Sequence, residues 1–239
     1  MRLDFYLVEN GYFDSRTKAQ QAIERGEIFV NGKKIEKPAF DIVGVPIIEH
    51  FYLSKYVSLG GFKMEKALND FGYSVNDLIV ADIGASTGGF TDCLIQNGAK
   101  KVYSVDLNDQ LLHNSLKNND KVSLIVKNAK DLIKSDFDDE LDLLVADLSF
   151  ISITQVIPTF SKLLIKDKKL LLLIKPQFEI GQYKKFKNGI IRDEKIHLSV
   201  CENVVKIAKQ FGFEKIKITT APLNKDKNIE FLILFNKEL

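Results

Sequence analysis

The sequence predicts an α/β protein: a doubly wound, mostly parallel seven-stranded sheet preceded by a small α+β unit. Three observations carry that expectation. From about residue 78 onward, short runs of Ile, Leu and Val alternate with stretches of helical spacing, the rhythm of a parallel sheet whose ligand site lies at the strand carboxyl ends. The last two strand-like runs are joined by a segment too short for a helical crossover, so they should run antiparallel. The first fifty residues follow a different order, two short helices and then a hairpin.

Composition narrows the class before any motif is considered. The 239 residues are 45% hydrophobic and 28% charged, an ordinary globular balance that excludes a disordered, collagen-like or disulfide-scaffold chain. Cys93 and Cys201 lie far apart and make no metal-ligand spacing with His50, His113 or His197, so a reducing setting and no metal are expected. Leu170 to Ile174 is far shorter than the roughly 20 apolar residues a bilayer needs. Met1-Arg2-Leu3-Asp4 lacks a signal-peptide core. A cytoplasmic protein without a membrane partner is the expectation, and a monomer is favoured.

In the first unit (1–50), Leu3, Leu7 and Val8 keep helical spacing before Gly11, and Ser15 is placed to cap a second helix over 16–25 that ends at Gly26. Ile28-Phe29-Val30 and Lys33-Lys34-Ile35 flank Asn31-Gly32, a strong hairpin signal. An irregular linker is expected around 44–54, where Pro46 interrupts regular structure, and the boundary between the two units is set at 51–57. In the second unit (58–239), strands are expected at 78–83, 101–106, 122–126, 141–147, 170–175, 215–219 and 229–235. Helices are expected at 61–71, 88–97, 110–116, 152–164 and 195–210. A seven-stranded, Rossmann-like sheet ending in an antiparallel hairpin is the arrangement of class I methyltransferases.

The 34 basic and 32 acidic side chains give a formal charge of +2, but their distribution is uneven. Bases outnumber acids over 15–37 and again over 162–195, whereas residues 1–50 together hold no excess positive charge. Any polyanion contact in the first unit must therefore come from one face. A solvated surface is the plainer reading of each run.

Asp82-Ile83-Gly84-Ala85-Ser86-Thr87-Gly88-Gly89-Phe90 follows a buried-type strand and opens a helix. No Lys-Ser/Thr follows the glycines, and Ser86 stands where a G-x-G-x-x-G loop needs glycine. The D-x-G-x-x-x-G form suits S-adenosyl-L-methionine, which has no pyrophosphate to cradle. Asp106, ending the next strand, can accept both ribose hydroxyls. Asn128 follows the third strand, where adenine contacts often sit; a solvent-exposed cap explains it nearly as well.

Four charged residues stand where an apolar continuation would be cheaper: Lys63 on the helix before the first strand, Asp147 and Lys175 at two strand ends, and Glu230 at the start of the last strand. With the last strand antiparallel and beside the fifth, Asp147, Lys175 and Glu230 should share one rim. Two lysines between two carboxylates make a charge-balanced site in which burial would lower a lysine pKa. Structural ion pairs at a strand edge are the rival reading, strongest for Glu230.

Two resemblances follow from these residues. Arg2-Leu3-Asp4, Ser15-Arg16, Ile23-x-x-Gly26 and Ile28-x-Val30-Asn31-Gly32-Lys33 resemble the RNA-binding domain first seen in ribosomal small-subunit protein four. That resemblance implies RNA contacts by Arg16, Lys18, Arg25, Lys33 and Lys34. The chain as a whole resembles the TlyA family. The carrying motifs are Tyr56-Val57-Ser58-x-Gly60-Gly61-x-Lys63, the loop from Asp82 to Asp92, Asp147-Leu148-Ser149-Phe150-Ile151-Ser152 and Lys175-Pro176-Gln177-Phe178-Glu179. Members of that family bear the historical name haemolysin and methylate ribose 2′-oxygens of ribosomal RNA. The resemblance implies an FtsJ-like tetrad of Lys63, Asp147, Lys175 and Glu230, S-adenosyl-L-methionine as cofactor, and cytidine within a ribosomal subunit as target. Leu59 departs from the pattern where a base is expected, and the short ends resemble the subtype that modifies large-subunit RNA alone. Lys184, Lys185, Lys187 and Arg192 are candidate phosphate contacts in the loop after the fifth strand. A non-catalytic assembly factor, a membrane-active haemolysin and a small-molecule methyltransferase are the alternatives.

Overall fold

The computed structural model describes residues 1–13, 15–24, 26–50, 55–181, 186–222 and 227–238, with only the backbone of His50. The chain divides into two compact units, Met1–Lys55 and Tyr56–Leu239.

The first unit consists of α1 (Leu3–Glu9), α2 (Arg16–Glu24), β1 (Ile28–Val30), β2 (Lys33–Ile35) and β3 (Ile48–His50). Leu3, Leu7, Ala19, Ala22 and Ile23, which helical spacing places on the inner faces of α1 and α2, are fully buried together with Ile28 of β1. Ser15 Oγ accepts the amide of Lys18 at 3.4 Å at the start of α2. Asn31 and Gly32 both take positive φ, 52° and 74°, the conformation a two-residue hairpin turn demands. The stretch expected to be irregular instead supplies a third strand: β3 pairs antiparallel with β1, giving the order β2-β1-β3. Pro46 fixes only its own φ and bars the preceding residue from helix, so a strand can begin two residues later. Asn31 fastens it, accepting the amide of Ile47 on its side chain and donating its own amide to the Ile47 carbonyl, both at 2.8 Å.

The second unit contains α3 (Gly60–Phe71), β4 (Ile79–Ile83), α4 (Gly89–Gln96), β5 (Lys101–Asp106), α5 (Asn114–Lys117), β6 (Val122–Val126), β7 (Leu143–Ala146), α6 (Ile157–Leu163), β8 (Lys169–Ile174), α7 (Pro176–Glu179), α8 (Glu194–Gln210), β9 (Phe213–Thr220) and β10 (Phe231–Lys237). The sheet order is β6-β5-β4-β7-β8-β10-β9, with β10 antiparallel to both neighbours. Alternation along the strands divides the core into two layers. Leu170, Leu172 and Ile174 of β8 pack in one with Phe160, Val204 and Phe213. Leu171 and Leu173 pack in the other with Met64, Phe90 and Leu94.

Two helices differ from expectation. The one expected at 110–116 is only the single turn α5, because Asn108 and His113 turn their side chains onto backbone amides two residues ahead and hold the preceding loop open. The one expected at 152–164 is split into a 3₁₀ turn, Ile153–Gln155, and α6, which starts afresh with Pro158 in its first turn. Among the described residues no helix is long and apolar enough to cross a membrane.

Candidate active site

The register aligns Ile83 of β4 with Ala146 of β7, Ala146 with Leu172 of β8, and Ile174 of β8 with Phe231 of β10. The next residue out from each strand end is therefore Gly84, Asp147, Lys175 or Glu230, and all four stand on one edge of the sheet. A cleft of about 740 Å³ opens there, and Lys63, Asp82, Gly84, Asp147 and Glu230 are among its walls.

The four charged residues are present as two ion pairs. Lys63 Nζ lies 2.5 Å from Glu230 Oε2, with side chains 23% and 17% exposed. Lys175 Nζ lies 2.5 Å from Asp147 Oδ1, with side chains 11% and 20% exposed, and donates to Ser149 Oγ at 2.8 Å. Lys63 reaches the cleft because α3 buries Met64, Ala67, Leu68 and Phe71 on its other face. Lys175 is the last residue before Pro176, which starts α7. Glu179 at the end of that turn accepts Ser152 Oγ at 2.5 Å and the amide of Ile153 at 2.9 Å. It thereby ties the loop after β8 to the loop after β7, and burial pushes its carboxyl up.

The glycine-rich loop fits closely against this pair site. Gly84 has φ +83°, and a Cβ there would stand 2.5 Å from the Asp147 carbonyl oxygen. At Gly89 a Cβ would stand 2.3 Å from Ser58 Oγ and 2.8 Å from the amide nitrogen of Gly61. Glycine at these positions lets the loop, the β7 end and the start of α3 touch. Ser86 donates its amide to Asp106 Oδ2 at 2.8 Å, so Asp106 organises the turn. Ser86 and Thr87 line the cleft, Gly88 caps α4 and Phe90 is buried beneath.

Asp82 is the most perturbed group here. Its side chain is fully buried. Oδ2 accepts Thr91 Oγ1 at 2.7 Å, and Thr91 Oγ1 also meets Ser104 Oγ at 2.7 Å. Oδ1 has no hydrogen-bond partner among the described residues. Burial, reinforced by the negative charges of Asp147 and Asp106, pushes the carboxyl up to about 7 against the relief from Thr91.

The other expected residues are placed on the surface of their own units. Asn128 is exposed and caps the amide of Lys130 at 3.0 Å. In the first unit Arg16, Lys18, Lys33 and Lys34 are exposed, Lys34 being paired with Glu36 at 2.7 Å. Lys187 and Arg192 are exposed in the second unit. Arg25, Lys184 and Lys185 lie outside the described residues.

Phe150 was not singled out from the sequence. It is 86% exposed with φ +65°, a left-handed conformation rare for a bulky side chain, and its ring lies 5.2 Å from that of Phe178. Its signal was its place, three residues past Asp147 in a short loop.

Residues 56–237 match the model of the FtsJ-like methyltransferase family and residues 1–43 that of the S4 domain. The chain is 44% identical to Hemolysin A of Brachyspira hyodysenteriae, over 98% of this chain and 99% of that one. It is 31% identical to the 16S/23S rRNA (cytidine-2′-O)-methyltransferase TlyA of Mycobacterium tuberculosis (97% and 88% covered). It is 29% identical to the 23S rRNA (cytidine-2′-O)-methyltransferase TlyA of Campylobacter jejuni (99% and 100%). The solved structure of a protein from Streptococcus thermophilus described as a putative hemolysin superposes with a TM-score of 0.77 at 36% identity, covering 100% of this chain and 88% of that one.

Proposed function

The chain belongs to the TlyA family of FtsJ-like methyltransferases, and we propose that it methylates the ribose 2′-hydroxyl of a cytidine in ribosomal RNA. The observation that carries this reading is the pairing of Lys63 with Glu230 in the wall of one cleft and of Lys175 with Asp147, itself a wall residue. S-adenosyl-L-methionine would supply an electrophilic methyl group at that cleft. The residues present suit it: the buried, unpartnered Oδ1 of Asp82 matches an ammonium group. The glycine-lined turn admits a close backbone approach, and Asp106 stands where ribose hydroxyls need an acceptor.

The rest of the chemistry falls to the protein. Lys175 Nζ faces the 2′-hydroxyl and lowers its proton affinity, and Asp147 holds that nitrogen in place. Lys63 and Glu230 complete the charge balance, leaving no lone ion in a partly buried site. Alignment of the attacking oxygen is the main source of rate. Phe150 offers a stacking surface for a base drawn out of its helix. The S4 domain supplies phosphate contacts through Arg16, Lys18, Lys33 and Lys34, with Arg25 expected to join them, while Lys187 and Arg192 grip the strand near the cleft.

Large-subunit RNA is the proposed target, because the two relatives named for cytidine methylation share 23S RNA and only one adds 16S. The test offers radiolabelled S-adenosyl-L-methionine and separated ribosomal subunits from cells lacking the enzyme. Label in the large subunit that vanishes with Lys175→Ala supports the reading. Cofactor binding without label in either subunit points to another acceptor or to a non-catalytic assembly role.

A further inference from the structure

β9 is the last strand of the seven-stranded sheet and pairs only with β10. Among the described residues its other edge makes no backbone hydrogen bond, which leaves a template for a further strand. The register slips between Leu234 and Phe235 of β10, so the regular part of that edge is 217–220. α8 lies alongside, and between the two elements is a groove of about 780 Å³. Leu198, Cys201, Val205, Ile218 and Phe231 give it an apolar floor. Leu198 is 62% and Ile218 44% exposed, so apolar surface runs from the helix to the strand edge and is open to a partner. His197, in the same wall, is buried with Nε2 unpartnered among the described residues.

The charge around this groove is uneven. The side chains that α8 turns toward it, from Glu194 to Lys209, recur every three or four residues, the helical period. Phe211 and Gly212 alone separate α8 from β9, so Lys206 and Lys209 in the last turns of the helix stand near Lys215 at the start of the strand. All three lysines are exposed and line the groove, and none has an ion-pair partner among the described residues. Glu194 lines the opposite end, and Glu202, one turn before Lys206, offsets one of the three charges at most.

We infer that this groove docks an extended peptide segment of a protein partner, which adds to β9 as an antiparallel strand and carries acidic side chains at its C-terminal end. An antiparallel strand runs from Thr220 toward Lys215, which brings its last residues to the three lysines. Main-chain bonds to the edge supply affinity, and apolar side chains at alternate positions fill the groove. An RNA strand would meet the lysines but leave the apolar floor uncovered. Among the described residues none of the proposed RNA contacts lines this groove, whereas Ile229 lines both it and the active cleft.

The probe is a fluorescein-labelled peptide, Thr-Val-Thr-Val-Thr-Val-Asp-Asp-Asp, titrated against the full chain by fluorescence anisotropy, with amide chemical shifts to locate it. Saturable binding is expected, with shifts at 217–220 and along α8. Proline in place of the peptide's threonines keeps its charge and its valines but removes ladder donors, and should weaken binding at least about tenfold. Lys206→Glu/Lys209→Glu should weaken it by a similar factor. Leu198→Lys separates the groove from simple charge. An added base tightens a purely electrostatic contact with an acidic peptide, whereas loss of the apolar floor should weaken binding at least about fivefold. Leu198 is exposed on a helix, so melting temperature and S-adenosyl-L-methionine affinity should stay unchanged.

Equal or tighter binding by Leu198→Lys, or indifference to the prolines, reduces the surface to a charge patch and overturns the proposal. Absence of saturable binding by about 1 mM peptide, or shifts confined to another surface, overturns it as well. Stronger shifts of the same amides by a cytidine hexanucleotide would make RNA the occupant. A concentration-dependent dimer that Ile218→Lys dissolves would make it a second copy of this chain, and either result overturns the peptide assignment.

Discussion

Replacing Asp82 by Asn should change how stability depends on pH, in a direction opposite to most acids. An ordinary paired carboxylate has its pKa lowered by folding and stabilises the fold above that value. Asp82 is raised from 3.8 to about 7, chiefly by burial. The native state therefore keeps a proton that the unfolded chain releases above pH 4, and stability falls as pH rises from about 4 to 7. A shift of about three units at about 1.36 kcal/mol each amounts to roughly 4 kcal/mol, of which about 3 kcal/mol is lost between pH 5 and pH 8. Urea unfolding of both proteins at these two pH values, without cofactor, isolates the effect, because every other titrating group is shared. The unsubstituted chain should lose about 3 kcal/mol more than Asp82→Asn over that interval. A difference below about 1 kcal/mol would refute the reasoning, showing Asp82 ionised in the folded protein at neutral pH. The same logic makes cofactor affinity rise with pH through 7, since an ammonium group requires the carboxylate.

Three further outcomes follow from the site. Lys175→Ala should reduce methyl transfer by about 10²–10⁴-fold while isothermal titration shows S-adenosyl-L-methionine affinity within a few fold of the original. Gly84→Ala, with a Cβ at 2.5 Å from the Asp147 carbonyl and φ +83°, should lower the melting temperature and abolish cofactor binding; a functional Gly84→Ala protein would contradict the loop geometry. Phe150→Gly should move stability and activity in opposite directions. Relief of the left-handed backbone at φ +65° should stabilise by about 1 kcal/mol, whereas loss of the stacking surface should weaken RNA-dependent turnover by roughly 10- to 100-fold, equivalent to about 1–3 kcal/mol.

Much of the sheet could be read from period and chain geometry. The unbroken apolar run of β8 announces two buried faces, and the short connection before β10 requires an antiparallel strand. Together these put Asp147, Lys175 and Glu230 on one rim. The partners within that rim were not legible: nothing local tells Lys63 to choose Glu230 and Lys175 to choose Asp147. Those choices depend on side-chain reach across the cleft. The third strand of the first unit was hidden because Ile48–His50 is short and its main signal is long range, the side chain of Asn31 meeting Ile47. The left-handed turn at Phe150 was hidden for a different reason. Local propensity opposes it, and only the surrounding loop can impose it. The burial of Asp4 was hidden too, because it arises only when α1 and α2 pack.

The account stands on what is made at the cleft. Large-subunit RNA from cells lacking the enzyme should be incubated with the purified protein and S-adenosyl-L-methionine, digested to nucleosides and resolved by mass spectrometry. The prediction is newly formed 2′-O-methylcytidine that disappears with Lys175→Ala. A methyl group carried on a base, or none in RNA from a protein that binds both cofactor and subunit, would contradict it.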